Sequence, residues 1–358
     1  MNNEKNKRIL SFLIILVICT AIGACVTGPK TEREVNDIAS IILEHEGITD
    51  RASAGRYITV DVEVSGEDTD EFYNLFSQYS DVFVISSFTV DSDDYEGSFV
   101  NDCRYYICDK DDAVTAELQN IGYVVLAETS EHTLYENTFS FNLFVVRHGQ
   151  TEANVAEQVV GQSESPLTDE GNETTILLGE ALSGIDFRAA YTSPVGRTQQ
   201  TAQNVLMGSG NEDVEPTALG LLYDLNFGEA EGMTWDQIHR TYGEDMDFGR
   251  IFGTADDAEY TAQVPGAETL YGYVNRVSSG IGQIVTDCAA NGWQDENVLL
   301  VNHSGFRYWM ANVMPNEDIP DGLFNASLTV LHYDRGVWNA LIINETDRET
   351  LLAADCIR

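Results

Sequence analysis

Short apolar runs and longer amphipathic stretches alternate along the C-terminal two thirds of the chain. Apolar runs at Phe141 to Val146, Ala189 to Thr192, Val298 to Val301 and Leu328 to Tyr333 predict strands. Between them, apolar positions recur at helical spacing over Glu170 to Leu182, Val195 to Met207, Glu268 to Ala290 and Phe306 to Val313. Strands and helices in alternation predict an α/β domain built on a mostly parallel sheet over residues 140–358.

The preceding stretch reads differently. Val35, Ile38, Ile41 and Ile42 lie on one face of a helix expected over Thr31 to Gly47. From there the pattern predicts a strand (Tyr57 to Val64), a helix (Thr69 to Tyr79), two strands (Val82 to Val90, Phe99 to Cys108), a helix (Asp111 to Asn120) and a strand (Tyr123 to Ala127). That β-α-β-β-α-β order predicts a small α+β domain of ferredoxin-like arrangement over residues 56–135, bounded by the polar segment Glu128 to Ser140. No chemical motif marks it, and its role is not legible.

The first residues read as an export leader: Lys5, Lys7 and Arg8, then an apolar run from Ile9 to Cys19 that is shorter than the ~20 residues of a bilayer span. Ile22-Gly23-Ala24-Cys25 resembles a bacterial lipobox, so residues 1–24 are expected to be a lipoprotein signal peptide. Cys25 becomes the lipid-modified residue, and 25–55 the tether and leading helix. The expected location is extracytoplasmic, on the bacterial cell membrane. Cys103, Cys108, Cys288 and Cys356 then remain. Cys103 and Cys108 on one strand would stand about 16 Å apart, beyond disulfide reach. A Cys288–Cys356 bridge and free buried thiols both stay open.

With 59 acidic and 19 basic residues the chain carries a net charge of -40, which makes nucleic acid and anionic membrane surfaces poor partners. Against that background the few basic groups stand out. Arg147, His148 and Gly149 close the first strand of the α/β domain, where such sheets place their sites. A histidine there can present one ring nitrogen as nucleophile while the other is held by a hydrogen bond, and the neighbouring arginine offers a planar fork to phosphate oxygens.

Their company sharpens the picture. FVVRHGQTEANVAEQVVGQSESPLTDEG, from Phe144 to Gly171, resembles the opening signature of histidine phosphatases and cofactor-dependent phosphoglycerate mutases. Ser193-Pro194-Val195-Gly196-Arg197-Thr198 resembles the family's second arginine motif, at a helix start whose free amides favour phosphate. Leu222 to Gly232, Pro265 to Thr269 and Val301 to Gly305 resemble the acid segment, a glycine-glutamate turn and the second histidine motif.

The resemblance, over Phe141 to Asp334, implies a three-layer phosphoglycerate mutase-like fold. It implies His148 as nucleophile, with Arg147, Arg197 and His303 forming the phosphate pocket and Asn154 assisting by hydrogen bonding. Asp224 stands where most relatives carry a glutamate acid, its carboxylate about 1.5 Å nearer the backbone; Glu229 or Glu231 could take the task instead. Glu164 lies one step from the aspartate usual before the Ser-Pro-Leu-Thr run, and Ala267 replaces the second glycine of the Gly-Gly-Glu turn. The implied activity is metal-independent hydrolysis of a small-molecule phosphomonoester, with no cofactor and no metal. The alternatives are a mutase-like phosphotransferase and a catalytically weak phosphate-ligand binding lipoprotein. Acidic residues between Thr234 and Gln263, a segment expected to cap the site, disfavour highly anionic substrates.

Overall fold

A computed structural model of the protein describes residues 48–52, 58–62, 105–109, 112–120, 122–128, 132–252, 262–314 and 317–354. The expected leader, Cys25, the helices over 31–47 and 69–79, the strand over 82–90, Cys103 and Cys356 lie outside these residues. Two compact units meet in sequence between Thr138 and Phe139.

In the first unit β1 (Ile48–Ala52) pairs antiparallel with β2 (Ile58–Val62). β1 occupies part of the stretch expected to be tether and helix. β3 (Tyr105–Asp109), α1 (Asp112–Asn120), β4 (Tyr123–Glu128) and β5 (His132–Asn137) follow. β5 lies in the segment expected to be a polar boundary, yet it pairs antiparallel with both β3 and β4. Burial explains this: Tyr135 and Asn137 are buried, and the Tyr135 hydroxyl lies 2.6 Å from Thr115 Oγ1 on α1. The central place in this three-stranded sheet therefore belongs to β5, a strand that the expected β-α-β-β-α-β order does not contain.

The second unit is α/β. β6 (Ser140–Arg147), β7 (Phe187–Thr192), β8 (Pro216–Ala218), β9 (Asn297–Asn302), β10 (Leu328–Asp334) and β11 (Val337–Glu345) form one sheet in the order β11-β10-β6-β9-β7-β8. β6, β9, β7 and β8 run parallel, and β10 runs antiparallel to both its neighbours. The short α2 (Glu152–Val155) follows β6, and α3 (Asp169–Ala181) and α4 (Gly196–Ser209) flank β7. α5 (Trp235–Tyr242), α6 (Phe248–Phe252) and α7 (Leu270–Ala290) precede β9, α8 (Phe306–Val313) follows it, and α9 (Arg348–Ala353) comes last.

Both faces of the sheet are covered. Phe141, Leu143 and Val145 of β6 point into a core shared with α7, α8 and the short helices α5 and α6. Phe144 and Val146 point the other way, against Leu178 and Leu182 of the α3 region and Val205 and Leu206 of α4. Burying each such side chain contributes roughly 1.5–3 kcal/mol, which is why an almost wholly apolar run becomes the central strand. Thr269 starts α7 by accepting the amide of Gly272 at 3.0 Å, so the helix opens two residues later than the expected Glu268.

Cys288 on α7 is a free, buried thiol, the second of the two expectations, and burial pushes it up; Cys356 lies outside the described residues. Cys288 packs in the core beneath the sheet. No helix among the described residues is long and apolar enough to cross a membrane.

Candidate active site

The parallel register of β6 and β9 pairs Arg147 with Asn302, so the residues that follow, His148 and His303, emerge side by side at the carboxyl ends of the strands. Their rings lie 5.3 Å apart between centroids. The backbone enforces this: the His148 amide donates to Asn302 O at 3.0 Å, and Asn302 Oδ1 accepts the His303 amide at 2.9 Å. β7 ends one register position away, at Thr192 opposite Val301, and delivers Ser193 and then Arg197 on α4.

His148 Nδ1 lies 2.8 Å from Gly149 O. A carbonyl can only accept, so Nδ1 carries the proton and Nε2 keeps its lone pair. Burial first, then the charges of Arg147 and Arg197, hold His148 well below the ordinary histidine range, so the ring is neutral. His303 is fully buried and held low by the same causes, burial foremost. Its Nδ1 is 3.4 Å from an Arg197 NH2 that can only donate, which leaves Nε2–H to donate to Ser193 Oγ at 2.7 Å.

Arg197 is 2% exposed. Its fork is fixed by Ser163 O at 2.8 Å and Gly161 O at 2.5 Å. Gly161 has to be glycine here, because a Cβ would fall 1.6 Å from Leu225 O. Arg147 donates NH1 to Leu323 O, while its buried Nε has no hydrogen-bond partner among the described residues. Burial lowers both arginines, and Asp224 is a counter-charge to each. A pocket holding two guanidiniums and two neutral imidazoles against one carboxyl is short of negative charge, and a phosphate dianion suits it.

Asp224 is 9% exposed and lies with Oδ2 3.7 Å from His303 Nδ1, while Oδ1 accepts the Leu225 amide at 2.9 Å. Burial pushes its carboxyl up to about 6, against the opposing pull of Arg197, the Leu225 amide, Arg147 and Arg276. The two other carboxylates considered from the sequence are placed elsewhere. Glu231 accepts the amides of Gly161, Gln162 and Phe227 at 3.1 to 3.2 Å, which ties two loops together. Glu229 is exposed and hydrogen-bonds Tyr242.

Asn154 Oδ1 is committed to the Thr151 amide at 3.0 Å, in a capping box for α2, and to Asn325 Nδ2 at 3.1 Å. Its own Nδ2 is the group left to reach a ligand. The start of α4 corrects an expectation: the Gly196 amide is taken by the Glu164 carboxylate at 3.0 and 3.2 Å. Positive charge therefore enters the site through the Arg197 side chain and not through that amide. Part of the acidity of the 234–263 segment is also neutralised locally, by Arg240 on Asp236 at 3.6 Å and Arg250 on Asp245. Asp256, Asp257 and Glu259 lie outside the described residues.

Sequence reasoning missed Ser193 as the partner of His303, and Asn325, whose Nδ2 donates to His148 O at 3.1 Å and Gly149 O at 3.3 Å. It also missed Arg276. This side chain pairs with Glu268 at 2.9 and 2.7 Å and donates to main-chain carbonyls beside Asp224. Among the described residues no group of three or more His, Cys, Asp or Glu side chains is placed to hold a metal ion.

Residues 143–346 match the histidine phosphatase superfamily (branch 1). The 2,3-bisphosphoglycerate-dependent phosphoglycerate mutase of Bartonella tribocorum is 34% identical over 106 residues, 29% of this chain and 52% of the mutase. The corresponding mutase of Bartonella henselae is 35% identical over 104 residues, 28% of this chain and 50% of the mutase. The chain thus spans about half the length of the curated relatives it matches. Among solved structures, the phosphoglycerate mutase from Bacillus anthracis str. Sterne superposes with a TM-score of 0.50 at 26% identity, covering 60% of this chain and 96% of that one.

Proposed function

Since the chain belongs to the histidine phosphatase superfamily, branch 1, we propose that it hydrolyses small-molecule phosphomonoesters through a phosphohistidine on His148. The observation that carries this reading is a neutral His148 with its Nδ1 proton tied to Gly149 O and its Nε2 lone pair free, beside the buried guanidinium of Arg197 and the half-buried one of Arg147. Nε2 attacks phosphorus as the ester P–O bond breaks, and the departing oxygen takes the proton of Asp224. Water then attacks the phosphoryl group and gives a proton to the Asp224 carboxylate. The N–P bond breaks, and neutral His148 and inorganic phosphate are restored. Arg147, Arg197 and His303 stabilise charge on the equatorial oxygens; burial foremost holds His303 low, and an incoming dianion offsets the cations that add to it and so shifts the ring towards its protonated, donating form.

Likeness to mutases favours a second reading, in which the phosphoryl group returns to an organic acceptor. Incubating the protein with para-nitrophenyl phosphate and with 3-phosphoglycerate, both in excess chelator, separates the two. Hydrolysis predicts stoichiometric inorganic phosphate from the aryl ester with chelator present, because every charge the mechanism needs comes from side chains. Isomerised phosphoglycerate without phosphate release would establish the mutase, and binding of vanadate without turnover a ligand-binding role.

We also propose that the chain is a lipoprotein anchored through Cys25 and facing away from the cytoplasm. The basic start, the apolar run and Ile22-Gly23-Ala24-Cys25 support this. Cys25→Ala should move the protein from the membrane fraction to the soluble or unprocessed pool, whereas an unchanged distribution would exclude the lipid anchor.

A further inference from the structure

Asp224 is a methylene shorter than the glutamate its position resembles, yet it reaches to within 3.7 Å of His303. Its main chain has to approach the pocket to make up the difference, and one side chain holds it there. Arg276, on the inner face of α7, donates NH1 to Leu221 O at 2.8 Å and to Tyr223 O at 2.9 Å, and NH2 to Asp224 O at 3.3 Å. A planar fork that takes three carbonyls within four residues fixes the path of that loop.

The fork is itself fixed. Arg276 Nε and NH2 grip both oxygens of Glu268, and the two side chains are only 10% and 18% exposed. Glu268 holds the far side of the same loop, because its amide donates to Asn226 O at 2.9 Å and its Oε2 accepts the Asn226 amide at 3.4 Å. The guanidinium also lies 5.2 Å from the centroid of the Tyr273 ring. The Tyr273 hydroxyl and Asp224 Oδ1 both border the space beside Gly305, within 3.0 Å of where a Cβ would stand. Loop, acid and pocket wall are thus referred to one arginine.

We propose that Arg276, braced by Glu268, is a positioning residue for Asp224 that sets how far the acid reaches towards the leaving oxygen. The inference rests on the hydrolase reading and concerns only proton donation. Lysine would keep the charge at 276 but not the fork, so Arg276→Lys is the informative change. On an alkyl ester such as glycerol 2-phosphate, kcat/KM should fall about 10- to 100-fold, less than the ~10²- to 10⁴-fold that losing the general acid outright costs. The loss on para-nitrophenyl phosphate, whose leaving group needs little proton help, should be at least about tenfold smaller. Adding Asp224→Glu to Arg276→Lys should recover part of the alkyl rate, because the added methylene restores reach, while Asp224→Glu alone should gain nothing.

Equal losses on both substrates with no recovery would overturn the proposal, since a purely structural role lowers the folded fraction and treats every substrate alike. Should Arg276→Lys fail to fold, Glu268→Gln, which loosens the brace, carries the same comparison with the same two outcomes. The unsubstituted protein serves as the control for the hydrolase reading. Absence of His148-dependent phosphate release there removes that reading itself, whereas release with equal losses removes only the role of Arg276.

Discussion

His148→Ala is expected to abolish phosphate release from para-nitrophenyl phosphate, lowering kcat/KM by about 10⁴-fold or more, while the fold is kept. The size follows from the role. Without Nε2 there is no covalent intermediate, and what remains is charge stabilisation of direct water attack by Arg147 and Arg197. Alanine removes a buried ring whose side-chain hydrogen bond among the described residues is to Gly149 O, so no buried partner charge is left behind. Circular dichroism and the vanadate affinity check the second half of the expectation: an intact spectrum with vanadate binding weakened but retained. A variant that keeps more than about a tenth of the activity would rule out His148 as nucleophile.

Asp224→Asn is expected to lower kcat/KM for alkyl phosphates by about 10² to 10⁴ and to affect aryl phosphates far less, because kcat/KM reports the first transfer, in which only poor leaving groups need the proton. The pH dependence gives a second signature. With the carboxyl pushed up to about 6, the alkyl rate of the unsubstituted protein should decline above pH 6 as the acid ionises. The variant should lack that limb.

Stability should move in the opposite direction to activity. A carboxyl whose folded value is raised favours folding while protonated, and that contribution is lost as pH rises from the ordinary carboxylate range through about 6. Above pH 6 the neutral amide should therefore stabilise the fold, by up to about 3 kcal/mol. At pH 4 the difference should vanish. Thermal unfolding at pH 4 and pH 7.5 tests this, and a variant less stable at pH 7.5 would show that the Asp224 charge supports the fold.

The parts of this molecule that were legible in the sequence are those in which local composition decides the outcome. β6 and β9 are dense apolar runs that only a doubly covered strand accommodates, and α8 occupies Phe306–Val313, the residues its apolar spacing marks. β11 was missed because its side chains are mostly half-buried and alternate weakly; it depends on a two-residue turn at Arg335 and Gly336, both in the left-handed region. α5 carried a readable sign, Thr234 with Gln237 three residues on, a capping box hidden in an otherwise acidic stretch. β5 was obscured by its polar residues, although Tyr135 and Asn137 are buried.

The site divides in the same way. Arg147, His148 and His303 sit beside apolar strands and so announced themselves, and parallel register then brings the two histidines together. Ser193 and Arg276 act over 110 and 52 residues of sequence respectively, through hydrogen bonds that no local spacing encodes. Glu164 shows the converse. Its nearness to the first motif was visible, but its carboxylate seats on the Gly196 amide only because the fold brings that loop across the start of α4.

The most direct test of the central claim is the chemistry of the trapped intermediate. The protein should be mixed with a phosphoryl-labelled aryl ester and quenched in alkali within the first turnover. The account predicts about one phosphoryl group per chain at most, stable to alkali, released by mild acid as a P–N bond must be, located on the peptide that carries His148 and absent from His148→Ala. Turnover without any such label, or a label that is alkali-labile or persists in His148→Ala, would contradict it.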